Sequence, residues 1–163
     1  MAAGSTYTPI ATTTLGSATN SYTFSSIPST YTDLVIVWNG ATATSNNVSL
    51  QFNSDTANNY SVTRMRGTGT AAESSRWSNI GLMFGPNPDT TGTSTVIWQI
   101  MNYSNSTTYK TAIAKGGGAG GEVGAYVGLW RNTAAITSTT VLIGGSVNMN
   151  VGTTLTLYGI QAA

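Results

Sequence analysis

The chain reads as an all-β protein: one domain, an antiparallel β-sandwich of jelly-roll-like type with about ten short strands. Three observations point there. Apolar and polar residues alternate with a period of two, as in Val48-Ser49-Leu50-Gln51-Phe52. Thr, Val, Tyr and Trp, which suit a pleated and half-buried surface, recur throughout. No stretch of helical length keeps apolar residues at i, i+3 and i+4 without a glycine breaking it.

In chain order, strands are expected at 7–15 and 22–26, where Tyr and Thr dominate. Residues 34–38 (LVIVW) are apolar on both faces and stop at Asn39-Gly40, a strong turn dipeptide. After the half-buried strand at 48–52 come 60–66 and 80–84. Residues 95–101 (TVIWQIM) are again apolar on both faces, as a central strand covered on both sides would be. Strands at 109–115, 123–131 and 135–143 follow, and Leu155 and Leu157 alternate with Thr154 and Thr156 near the end. Residues 67–75 and 85–92 read as loops from their Gly, Pro, Thr and Ser content. The glycine-rich run 116–121 reads as a hairpin tip. Strand-like segments continue on both sides of every loop, so residues 1–163 form a single domain.

A chain of 163 residues can bury about 70 % of its unfolded surface and needs no metal or disulfide staple. It has no histidine and no cysteine. That excludes Ser-His-Asp and Cys-His catalysis, and zinc sites built from imidazole or thiolate. Charged residues are 7 % of the chain and the net charge is +1, so neither nucleic acid nor an acidic membrane is an expected partner. So little self-repulsion lets copies approach closely. The first six residues lack a basic region and an apolar core, which argues against a signal peptide. No apolar run approaches the ~20 residues of a membrane helix. The sequons at Asn47, Asn59, Asn102 and Asn105 read as coincidences of an Asn-, Ser- and Thr-rich composition.

Candidate chemistry is sparse, and no catalytic, cofactor or metal residue is assigned. Two of the five carboxylates would have to face each other about 5–9.5 Å apart for glycoside hydrolysis. Asp33 instead reads as a strand start, and Asp55 and Asp89 as turn residues. Residues 53–59 offer several oxygens but one carboxylate, which fits a hydrogen-bonded turn better than a calcium loop. The glycine run is followed by no Gly-Lys-Ser/Thr, and Lys115 before it reads as a strand end. Trp38 and Trp98 fall in apolar strands and are expected in the core. Trp77 beside Arg76, and Trp130 beside Arg131, are candidate anchors between subunits, since Trp and Arg are enriched at binding hot spots. Arg64 and Arg66 share one strand face and, with Arg76, could pair with an acidic patch on a neighbour.

The segments Tyr7-Thr8-Pro9-Ile10-Ala11-Thr12-Thr13-Thr14-Leu15 and Phe24-Ser25-Ser26-Ile27-Pro28-Ser29-Thr30-Tyr31-Thr32-Asp33-Leu34 resemble the opening of small β-rich virion proteins of tailed bacteriophages, cyanophages included. Gln51-Phe52-Asn53-Ser54-Asp55, Asn59-Tyr60-Ser61 and Thr153-Thr154-Leu155-Thr156-Leu157-Tyr158-Gly159-Ile160 are similar to later segments of the same group. The resemblance implies a non-catalytic structural subunit on the particle exterior, made in the host cytoplasm. Its expected partners are itself, as a homotrimer, and the major capsid protein or another virion protein. Capsid decoration (cement) is the leading expectation. A tail-fibre or receptor-binding tip that grips host glycans is the alternative, and a glycan hydrolase on such a tip a further one.

Overall fold

The structure, a computed structural model, describes residues 6–118 and 122–161. The N-terminal residues 1–5 and residues 119–121 of the expected hairpin tip lie outside the described residues. The chain forms β1 (Tyr7–Thr14), β2 (Ser21–Phe24), β3 (Asp33–Gly40), β4 (Val48–Phe52), β5 (Tyr60–Gly67) and β6 (Ala72–Ile80). It continues with β7 (Ser94–Met101), β8 (Lys110–Gly117), β9 (Val123–Trp130), β10 (Thr139–Ile143) and β11 (Thr154–Ile160). A short 3-10 turn at Gly144–Ser146 follows β10.

The strands make two unequal antiparallel sheets. The larger has eight strands in the order β1-β11-β3-β7-β8-β9-β5-β6, the smaller three in the order β2-β10-β4. It is an all-β sandwich. Alternation sorts each strand of the large sheet into an inner and an outer set. Leu34, Ile36 and Trp38 of β3, Val96, Trp98 and Ile100 of β7, and Leu155 and Leu157 of β11 point inward. They share one core with Phe24, Val48, Leu50, Phe52, Val141 and Ile143 of the small sheet. Burying side chains of this size stabilises by about 1.5–3 kcal/mol each relative to exposure.

The small sheet is too narrow to cover all of the large one. In the middle of β8 and β9 the inner residues Ala112, Ala114 and Gly128 are small, and the crossing segment 81–88 passes over Gly128. A Cβ at Gly128 would collide with the Met83 thioether. Met83 exchanges both backbone hydrogen bonds with Leu50 at 2.9 Å, and the Val48 N–H donates to the Pro86 carbonyl at 3.1 Å. This crossing segment covers the open edge of β4.

Four expectations need correction. Residues 67–75 are not a loop, because β6 begins at Ala72 and a tight turn at 68–71 closes the β5–β6 hairpin. Of the strand expected at 80–84, Ile80 ends β6 and residues 81–84 belong to the crossing segment, with one bridge between Leu50 and Met83. Asn39-Gly40 is no turn: β3 runs through Gly40, which pairs with Ser94. Residues 135–138 precede β10 and are tied instead to Asn53, whose Oδ1 accepts the Thr137 and Ser138 N–H groups at 2.9 and 3.1 Å.

Every sheet edge carries a guard against further pairing. On β1, Pro9 lacks an N–H and the register shifts between Pro9 and Ala11. On β6, Asn79 (φ 56°) bulges opposite β5, and Glu73 and Arg76 put charge on the strand. The edge strand β2 is only four residues long.

Candidate functional site

The outer face of the eight-stranded sheet is uncovered by the described chain. Cross-strand register fixes its layout. One row runs Tyr158–Val35–Gln99–Ile113–Val127–Thr63–Arg76 from β11 to β6. The next runs Thr156–Val37–Ile97–Lys115–Ala125–Met65–Ser74. The row at one end is Thr14–Thr154–Asn39–Thr95, joined in part by an Asn39–Thr95 side-chain hydrogen bond of 3.1 Å. The face thus has an apolar middle and a Thr- and Asn-rich border.

Of the large apolar side chains exposed among the described residues, five lie on this face: Tyr7 (53 %), Met65 (59 %), Ile113 (37 %), Val123 (73 %) and Val127 (42 %). Tyr7 and Tyr158 meet edge to face at 6.2 Å and wall a shallow concavity of about 440 Å³ floored by Val35, Ile97 and Ile113. The charges on the face are few. Lys115 and Arg76 are exposed, and the Asp33 carboxylate accepts the Asn102 N–H at 2.7 Å.

Sequence pointed to a different set of residues. Arg64 and Arg66 do share a face, but the inner one, beyond the reach of the small sheet. Their charges are satisfied within the chain, which corrects the expectation of an acidic patch on a neighbour. Arg66 binds Glu73 at 2.8 Å and also the buried Glu122; Arg64 lies 3.7 Å from Glu73 and 5.0 Å from the Trp77 ring centre. Trp77 is half-buried, edge to face on Phe84 at 5.7 Å. Trp130 is no surface anchor: it is fully buried, stacked on Tyr60 at 6.3 Å and packed on Phe52 at 5.5 Å. Arg131 donates to the Asn58 carbonyl and to Asn79 Oδ1 at 2.7 and 2.9 Å, pinning the end of β9 to two loops. Of the six, Arg76 alone projects from the uncovered face.

The carboxylates are taken up by the fold. Burial pushes the Glu122 carboxyl up, but hydrogen bonds from Tyr126, Arg66 and the Asn87 N–H outweigh it and hold the group below its ordinary value. Burial likewise opposes ionisation of Asp55, yet Asn59, Trp130 Nε1 and the Ala57 N–H, at 2.8, 2.7 and 2.9 Å, hold it low. Asp55 therefore closes a turn at 53–59, as its sequence suggested. The Asp89 carboxylate accepts the Thr90 and Thr91 N–H groups in another turn. Glu73 and Glu122 do face one another, and the Arg66 guanidinium fills the space between them. Lys110 is buried with its ammonium on the Thr108 and Thr133 carbonyls at 2.7 and 3.0 Å, and burial pushes its pKa down. Among the described residues no group of three or more Asp or Glu could hold a metal ion, and no helix is long and apolar enough to cross a membrane.

No family model and no curated protein matches the chain. Among solved structures, a protein of unknown function from Shewanella oneidensis MR-1 aligns with all of this chain and 82 % of its own, at 8 % identity and a TM-score of 0.22. A likeness that distant carries no argument about function.

The uncovered face is the feature that sequence reasoning missed. Its signal was present in the strand at 95–101, apolar on both sides. Ile97 faces outward between Val37 and Lys115, where the expected second cover is not supplied by the described chain.

Proposed function

We propose that this protein is a non-catalytic structural subunit that works by binding: a capsid decoration protein on the exterior of a tailed-phage virion, assembled as a homotrimer. The observation that carries the binding role is the broad, charge-poor outer face with its apolar middle. Large apolar side chains left open together on one sheet face, here Met65, Ile113, Val123 and Val127, commonly mark an interaction site. The virion assignment draws on the sequence resemblance, and the near-neutral net charge of +1 suits close association of copies. A non-catalytic role is supported by Asp33, Asp55, Glu73, Asp89 and Glu122 each being engaged in hydrogen bonds or ion pairs of the fold. Mechanically, many weak contacts repeated over a symmetric shell would add by avidity.

The test has two readings. Light scattering coupled to size exclusion should give three times the 16.8 kDa chain mass. Purified protein mixed with phage capsids stripped of their decoration should co-sediment with them and raise the temperature at which they release DNA. Failure to bind the shell, together with specific hits on a glycan array, would replace decoration by the tail-tip alternative.

A further inference from the structure

We infer that the outer face of the eight-stranded sheet is covered, in solution, by a neighbouring copy of this chain within the proposed trimer; this rests on the binding role proposed above and names the partner of that surface. Four observations carry it. The first is area. Eight strands spaced about 4.8 Å apart, each near eight residues at about 3.4 Å, span roughly 1,000 Å² in projection. A stable interface needs about 800 Å² from each partner. The second is anatomy. Val35, Ile97, Ile113 and Val127 form an apolar patch broken by Gln99 and by the single charge of Lys115, with a Thr- and Asn-rich row at one end, a charge-poor make-up that suits a protein–protein contact.

The third observation is that the alternatives within the fold are closed. The edges of the large sheet are guarded by Pro9, two register shifts, Glu73 and Arg76, and the β4 edge is capped by the crossing segment. Strand addition is blocked where face packing is left open. The fourth is the sequence of the central strands. Val37 of β3 and Ile97 of β7 stand side by side on the outer face, only partly buried, where the described chain provides no second cover.

The experiment uses the full chain. Met65→Glu and Val127→Glu each place a charge on the exposed outer face without touching the core, and Arg76→Ala at the β6 edge serves as the control. Wild type and Arg76→Ala should run at the same multiple of 16.8 kDa at micromolar concentration, and the two Glu variants at the monomer mass with unchanged circular dichroism. A monomeric wild type, or Glu variants that keep the wild-type mass, overturns the inference. Glu variants that keep their mass but no longer bind capsid shells also overturn it, by assigning the face to the shell, and leave the decoration reading standing. Should Val127→Glu lose its folded spectrum, Met65→Glu, at 59 % exposure, decides alone.

Discussion

Replacing Glu122 by alanine should cost about 3–5 kcal/mol at pH 7, the range seen when one partner of a buried ion pair is removed. The Glu122 side chain is 2 % exposed and accepts from Arg66, Tyr126 and the Asn87 N–H. Its loss strands the Tyr126 hydroxyl and the Asn87 amide, and leaves the Arg66 guanidinium to Glu73 alone. In a domain of this length such a loss lowers the melting temperature by roughly 6–20 °C. Because the folded carboxyl is held below its unfolded value of about 4.3, its contribution is complete above that pH and fades as pH falls through the folded value. Urea unfolding followed by tryptophan fluorescence, at fixed protein concentration and at pH 7 and pH 3, measures both effects. The wild type should lead Glu122→Ala by several kcal/mol at pH 7 and by much less at pH 3. Glu122→Gln should fall between them at pH 7. A gap under about 1 kcal/mol at pH 7, or an equal gap at both pH values, would refute the claim that this carboxylate anchors the β5–β9 end of the sheet.

Trp130→Phe removes the Nε1 hydrogen bond to Asp55 and should cost about 1.5–3 kcal/mol in chemical denaturation, whereas a surface tryptophan would cost under about 0.5. Gly85→Ala drives a Cβ to 2.5 Å from both the Trp98 ring and the Val48 carbonyl; a fall in the urea midpoint worth about 1–3 kcal/mol is expected. Burial raises the Tyr60 and Tyr126 hydroxyls, so stability present below the unfolded tyrosine value of about 10 should drain away as pH rises beyond it, and Tyr126→Phe should blunt that loss. The depressed Lys110 works in the opposite sense: its burial penalty lifts as pH climbs toward about 10.4, so the wild type should gain on Lys110→Met between pH 7 and that point.

Wherever one face of a strand meets the core, its residues announced it. Residues 48–52 were placed to the residue, and 95–101 to within one. The failure at β6 has a physical cause: AESSRWSNI is wet on nearly all sides, so burial imposes no alternation, and its strand state comes from pairing with β5 alone. The converse error at 81–84 arose because Met83 and Phe84 are apolar for packing on Gly128 and Trp77, not for pairing in a ladder. Strand order was beyond reach, since nothing local says that β11 should lie between β1 and β3. For the same reason Trp130 beside Arg131 suggested an exposed anchor, although its indole nitrogen meets Asp55 from 75 positions away.

That placement of β11 has a consequence for how the molecule comes into being. β11 is a wedge between β1 and β3, which precede it by more than a hundred residues, with Thr156 opposite Thr12 on one flank and Val37 on the other. Until it arrives, β1 has no neighbour in the large sheet, and the apolar flank of β3 stays unzipped. Productive folding of the large sheet must therefore await residues 154–160, and a chain cut short before Thr154 would be prone to aggregation or proteolysis.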